Sequence, residues 1–203
     1  RSGFSSVNPL VEELPGVQQD NVLTSWEAIE GSRPIGKRVL LLDDDGSRAA
    51  AGVAMALLDR GHEVAVATRW NALFPFTLYG LDLAHVYGSV FARGLTYRLN
   101  VWASAIEGGT VRLFNLYTGQ EEPPVEVDTV VLTGSTPDAE LYFALRGTVA
   151  NLHRIGDCVA VRKLDHAIYE GYLAGRELFD PHERYIYEGE LERATVGQAV
   201  SSG

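Results

Sequence analysis

The sequence predicts an α/β protein built on an open parallel sheet with a small antiparallel element. Two observations carry this expectation. Val39-Leu40-Leu41-Leu42 is a continuous apolar run, as a strand buried on both faces requires. Val64, Val66 and Thr68 alternate with smaller residues and mark a second strand. Between them, residues 47–60 are rich in alanine, carry Val53, Met55, Leu57 and Leu58, and stop at Gly61. They read as a crossover helix packed tightly on the sheet, with Gly61 as its C-terminal cap. Strand, helix and strand within about thirty residues form the βαβ unit of parallel sheets.

The other elements follow along the chain. Residues 1–20, punctuated by Gly3, Pro9, Pro15 and Gly16, read as an extended surface connection. Thr24 stands three residues before Glu27, the capping-box spacing, and starts a short helix through Ile29 that Gly31, Pro34 and Gly36 end. A helix is expected from Leu78 to Phe91, closed near Gly94. Leu95–Leu99, Trp102–Ile106 and Val111–Leu116 read as short strands, with Gly108-Gly109 as a tight turn. Glu121, Glu122, Pro123 and Pro124 read as a loop, and Val127–Leu132 as a buried strand ending in Thr133-Gly134. Asn151–Ile155 reads as a last short strand ending in Gly156-Asp157. A helix over 164–178 and a charged tail from Asp180 complete the chain.

Composition sets limits on function. The 203 residues are 46% apolar and 22% charged, ordinary for a globular protein, and contain no uninterrupted apolar run long enough to span a membrane. Acidic residues outnumber basic ones by 27 to 17, for a net charge of −10, which argues against a nucleic-acid partner. The single cysteine, Cys158, excludes an internal disulfide and any iron–sulfur cluster held by this chain alone; its position suits a small apolar packing residue. The single methionine is Met55, and the chain starts at Arg1 with nothing resembling a signal sequence, so it reads as a piece of a longer protein.

In open α/β sheets, ligands bind beyond the carboxyl ends of the strands, and three such ends bear on function. The first is Asp43-Asp44-Asp45-Gly46-Ser47-Arg48. A dinucleotide site places glycines where Asp43, Asp45 and Arg48 stand, so that the backbone can approach a pyrophosphate at the helix N-terminus. Here side chains fill those positions and carboxylates face the place of the anion. The turn therefore reads as a Rossmann-like fold that has lost its dinucleotide; the plainer alternative is acidic residues placed favourably at a helix start. No further carboxylate or histidine has a matching position for a divalent metal. The second end is Thr133-Gly134, where glycine lets a chain or ligand pass close. The third is Gly156-Asp157, leading into a helix that carries His166 and Ala167. There an aspartate suits a polyol hydroxyl and the helix N-terminus a phosphate or flavin carbonyl, although Asp157 also suits a cap. His166 is more simply a structural histidine than a base.

In order, these segments resemble the C-terminal part of the multidomain flavin enzymes of the old yellow enzyme type, the group of trimethylamine dehydrogenase, histamine dehydrogenase and 2,4-dienoyl-CoA reductase. The matching stretches are Val22-Leu23-Thr24-Ser25-Trp26-Glu27, Ile35-Gly36-Lys37-Arg38-Val39-Leu40-Leu41, Gly61-His62-Glu63-Val64, the Thr133-Gly134 strand end, and Ile155-Gly156-Asp157 with a helix ending in Ala174-Gly175-Arg176-Glu177. Coverage runs from about Leu14 to Phe179.

The resemblance implies a barrel with FMN and an iron–sulfur cluster, followed by an FAD-like domain interrupted by an NAD(P)H-like domain. On that map residues 1–35 are a connection and part of the FAD/ADP-like domain, and 36–134 the inserted NAD(P)H-like domain. Residues 135–180 are the returning half of the FAD-like domain, and 181–203 a tail. Thr133, Gly134, Gly156, Asp157, His166 and Ala167 are the implied FAD or ADP contacts in the intact protein; Asp43, Asp45, Gly46 and Arg48 form a degenerate dinucleotide turn. The barrel, its cluster cysteines and a G-x-G-x-x-G turn are absent from these residues. No catalytic residue is therefore assigned, and no cofactor is expected to bind this chain tightly by itself. The acidic turn favours an amine dehydrogenase ancestry, which passes electrons to an electron-transfer flavoprotein, over an NADPH-dependent dienoyl-CoA reductase. Further partners are the barrel and the first half of the FAD-like domain, with homo-oligomerisation left open and a cytoplasmic location expected.

Two rival readings have residues behind them. A signalling receiver domain would use Asp43–Asp45 for magnesium, but it needs a second aspartate at the end of the third strand and a lysine at the end of the fifth; no aspartate occurs between Asp82 and Asp128, and the only lysines are Lys37 and Lys163. A docking module would expose Trp70, Phe74, Phe76, Tyr79 and Trp102 as a patch.

Overall fold

The computed structural model describes residues 14–135, 137–149 and 152–179. Gly3, Pro9, Thr136, Asn151 and the tail from Asp180 lie outside the described residues. The chain divides into two compact units, residues 1–136 and 137–203.

The first unit opens with β1 (Val22–Thr24) and α1 (Ser25–Glu30), then β2 (Arg38–Asp43), α2 (Arg48–Asp59) and β3 (Glu63–Thr68). A 3₁₀ helix over Pro75–Gly80 precedes α3 (Leu83–Ala92) and β4 (Thr96–Arg98). Then come β5 (Val101–Glu107), β6 (Thr110–Asn115), β7 (Glu121–Glu126) and β8 (Thr129–Thr133). Five strands form one parallel sheet in the order β1-β8-β2-β3-β4, and β5-β6-β7 form a separate antiparallel sheet. The fold is thus the mixed α/β architecture that the sequence predicts.

Alternation along the central strands builds three layers. Val39, Leu41, Val64, Val66 and Val131 point to one face and pack with Ala50, Ala51, Ala54 and Leu57 of α2. Leu40, Leu42, Ala67, Val130 and Leu132 point to the other and pack with Val101, Ala103, Ile106, Val111 and Leu113 of the antiparallel sheet. Period-two side chains of a sheet covered on both faces must all be apolar, hence the unbroken run at 39–42. The alanines of α2 let its axis lie close to the sheet. Ser47 caps that helix through Ala49 N, and at the far end Gly61 (φ +87°) donates to Leu58 O while His62 donates to Leu57 O, a Schellman closure.

The capping box at α1 is formed: Glu27 N donates to Thr24 Oγ1 (3.3 Å) and Thr24 N to Glu27 Oε2 (2.8 Å). The Arg60 guanidinium donates to Ala28 O and Ile29 O at the other end of α1, each at 2.6 Å. Thr24→Ala is expected to cost about 1 kcal/mol in a urea melt.

Four expectations change. β1 was not anticipated: three residues carry too little periodicity, and they become a strand only by pairing with β8. It lies within the stretch 1–35 expected to flank the inserted domain, yet joins the same sheet. The helix expected over 78–91 is two elements, because Leu81 adopts a left-handed conformation (φ +60°) after Gly80 and breaks the backbone ladder. The expected loop at Glu121–Pro124 belongs to β7, whose paired residues are Glu121, Glu122, Val125 and Glu126. Pro123 and Pro124, with no N–H to give, sit at the register shift of an edge strand, where proline is tolerated. Finally, 152–155 form no strand. Ile155 is extended (φ −134°, ψ 163°), but an extended segment becomes a strand only beside another, and the described part of the second unit holds none.

The second unit contains α4 (Glu140–Leu145), a 3₁₀ turn over Gly156–Cys158, and α5 (Leu164–Phe179). Arg154 lies over the rings of Tyr142 and Phe143, 5.2 and 5.5 Å from their centroids. No helix among the described residues is long and apolar enough to cross a membrane.

Candidate functional site

The carboxyl ends of β2 and β8 are held together by Asp43. Its side chain is fully buried, and Oδ1 accepts from Asp45 N (3.1 Å), Gly46 N (2.9 Å) and Thr133 Oγ1 (2.9 Å). Oδ2 is buried without a hydrogen-bond partner. Its main-chain carbonyl accepts from Thr68 Oγ1 at the end of β3 (2.8 Å), and Asp44 N donates to Thr133 O (2.9 Å). Burial pushes the Asp43 carboxyl up to about 7, and the neighbouring Asp45 charge adds to the rise; the Gly46 amide and Thr133 hydroxyl oppose it.

Asp44 forms an ion pair with Arg69, Oδ1 to Nε 2.5 Å, without hydrogen-bond alignment. Burial raises its carboxyl and Arg69 works against the rise. Asp45 accepts from Ser47 Oγ, and the exposed Arg48 pairs with Asp82. Among the described residues no group of three or more His, Cys, Asp or Glu is placed to hold a metal ion.

Sequence reasoning missed the cover on this turn. Gly46 is left-handed (φ +62°), and a Cβ there would stand 2.7 Å from Trp70 Nε1 and 3.2 Å from Pro75 Cδ. Gly46 O accepts from Phe76 N (3.0 Å). Trp70 meets Phe76 edge-on at 4.9 Å between centroids, and the Arg69 guanidinium lies 4.6 Å from the Trp70 ring centroid. The signal was present: Arg69 and Trp70 directly follow β3, whose end adjoins that of β2. Of the aromatic residues considered as a patch, Phe74 and Trp102 are core, Trp70 and Phe76 are half-buried, and Tyr79 is exposed.

Thus Asp43, Asp45, Gly46 and Thr133 converge, with buried Gly134 following β8, while Arg48 turns outward. Two turn amides that would face a ligand anion in a dinucleotide site are instead directed at a carboxylate of the chain itself.

Gly156, Asp157, His166 and Ala167 belong to the second unit. Gly156 is left-handed (φ +63°), and a Cβ there would come within 3.4 Å of Ala167 Cβ, so the turn lies close against α5. Gly156 N donates to Glu170 Oε2 (2.6 Å), and Glu170 also pairs with Arg162. Asp157 is exposed and accepts a long bond from Arg162 N (3.4 Å). His166 is exposed, its Nδ1 3.0 Å from Asp165 Oδ1, an interaction that lowers the Asp165 carboxyl. Cys158 is half-buried with Sγ donating to Ile155 O (3.0 Å).

Residues 23–126 match the model of the OYE-like second alpha/beta domain. Dimethylamine dehydrogenase of Hyphomicrobium sp. (strain x) is 28% identical over 218 residues, covering 94% of this chain and 30% of that protein. The structure of 6-hydroxypseudooxynicotine amine oxidase from Pseudomonas geniculata N1 is similar at 30% identity and a TM-score of 0.69, over 80% of this chain and 25% of that one. Histamine dehydrogenase from Rhizobium sp. 4-9 shares the fold at 24% identity and a TM-score of 0.72, over 88% of this chain and 29% of that one. The chain spans less than a third of the length of each of these relatives.

Proposed function

The chain belongs to the OYE-like second alpha/beta domain family, and from that premise we propose that it is the nucleotide-domain part of a flavin- and iron–sulfur-containing amine oxidoreductase. In this reading the chain is itself non-catalytic, and its dinucleotide site is degenerate. The similarity to dimethylamine dehydrogenase and to an amine oxidase supports the reaction class. The turn after β2 supports the degeneracy. A pyrophosphate needs free amides, room for its oxygens and no competing negative charge. The Asp45 and Gly46 amides are directed at Asp43, Trp70 lies against Gly46, and Asp44 and Asp45 add carboxylates at the same strand end.

Residues 36–134 would then be the inserted NAD(P)H-like domain, with β1 added to its sheet, and 135–180 the returning part of an FAD/ADP-like domain. Gly156 and Asp157 are this chain's contribution to an FAD or ADP site. The left-handed Gly156 close against Ala167, and the exposed Asp157 carboxylate at the start of the turn, suit a polyol or ribose hydroxyl. FMN and an iron–sulfur cluster would be held by a barrel, which carries the redox chemistry, and an electron-transfer flavoprotein would accept the electrons. A cytoplasmic location accords with this role.

Equilibrium dialysis of the 203-residue chain against NADPH tests the degeneracy. The expected Kd is above about 1 mM, less than about 4 kcal/mol of binding. Micromolar NADPH binding would instead favour a dienoyl-CoA reductase-like fragment.

A further inference from the structure

The turn holds a buried acid that the proposed function does not use. A carboxylate kept ionised inside a protein ordinarily gathers donors on both oxygens or sits beside a cation. Asp43 does neither: three donors converge on Oδ1, while Oδ2 is buried and bare. The charged groups around it do not help. On the turn, Asp45 is like-charged. At the start of α2, Arg48 is paired with Asp82. From the end of β3, Arg69 is engaged by Asp44, and Thr68 supplies a hydroxyl to the backbone carbonyl. β8 contributes the Thr133 hydroxyl, and the segment over the turn contributes Trp70, Pro75 and Phe76, none of them a cation.

That segment is the part able to yield. Phe74 and Leu81, which flank its 3₁₀ helix, are non-glycine residues in the left-handed region (φ +48° and +60°), a strained conformation for bulky side chains. It is tied to the turn by Phe76 N to Gly46 O and by the indole resting on Gly46.

We propose that Asp43 is a proton-operated latch. Uncharged, it leaves the corner dry and keeps Trp70 seated over Gly46; ionised, its bare Oδ2 draws water into the corner and unseats the indole. The device is independent of the oxidoreductase reading. Its sign follows from the carboxyl's rise from an ordinary 3.8 to about 7 in the folded chain. The folded state holds a proton that the unfolded state releases, so the stabilisation is full below 3.8 and is lost as pH rises through about 7.

The test is acrylamide quenching of tryptophan fluorescence in the full chain from pH 5 to 9, with far-UV circular dichroism alongside. Quenching is expected to rise through a transition near neutrality while the dichroism stays constant. The transition should vanish in both Asp43→Asn, which keeps an acceptor but cannot ionise, and Trp70→Phe, which removes the reporter. Thr133→Val deletes a donor to Oδ1 and should move the midpoint to higher pH, which keeps the proposal testable if Asp43→Asn fails to fold. A flat wild-type profile would overturn the latch. So would a transition that persists in Asp43→Asn or a midpoint unmoved by Thr133→Val.

Discussion

Truncating Leu41 or Leu42 to alanine is expected to cost about 3 kcal/mol each, within the range of about 2–5 kcal/mol for buried leucines. These two neighbours on β2 are fully buried yet share no packing layer. Leu41 belongs with the helices, and its loss leaves a hole beside Ala50, Ala54 and Leu57; loss of Leu42 leaves one beside the antiparallel sheet. Because the cavities open on opposite faces, the double variant should lose nearly the sum. That approaches the whole stability of an ordinary domain, roughly 5–15 kcal/mol. Urea denaturation monitored by circular dichroism measures all three. A Leu42→Ala cost below about 1 kcal/mol would mean that the antiparallel sheet does not close that face in solution.

The elements legible in the sequence are those whose signals are local. The βαβ unit at 38–68 announces itself by an unbroken apolar run, an alanine-rich helix and a glycine stop. The capping box at Thr24 needs four residues and nothing else. The elements that escaped depend on partners far along the chain. β1 exists through its pairing with β8, more than a hundred residues away, and β7 through its pairing with β6 despite two prolines. The candidate site divides in the same way. The acidic turn and its poor fit to a dinucleotide were readable from Asp43, Asp45 and Arg48. That Asp43 would bond Thr133, ninety residues on, was not. Nor was the approach of Phe76 to Trp70 and Gly46, because its 3₁₀ segment is flanked by the left-handed Phe74 and Leu81, and bulky residues give no sequence sign of adopting that conformation.

Gly46→Val is expected to lower stability by about 3 kcal/mol, and the interest lies in how that loss divides. Part is conformational: a β-branched residue at φ +62° is strained by about 1–2 kcal/mol. The rest is steric, since its Cβ would stand 2.7 Å from Trp70 Nε1 and 3.0 Å from Trp70 Cδ1. The indole cannot step aside without loss, because Phe76 meets it edge-on and Arg69 lies over its ring. Gly46→Asn separates the two costs, as asparagine tolerates the left-handed region but keeps the clash. For a chain of this size the valine variant should melt roughly 6–12 °C lower, on a scale of about 2–4 °C per kcal/mol. A double-mutant cycle with Trp70→Ala then decides what the glycine is for. In a phosphate-cradling turn, glycine keeps space for a ligand, and removing a tryptophan would not relieve the valine. Here the space is occupied by the chain's own indole, so Trp70→Ala should remove the steric share and leave only the strain, an interaction energy of about 1–2 kcal/mol. Strict additivity in the cycle would mean that the indole does not rest on Gly46 in solution, and the steric case against a dinucleotide at this turn would fall with it.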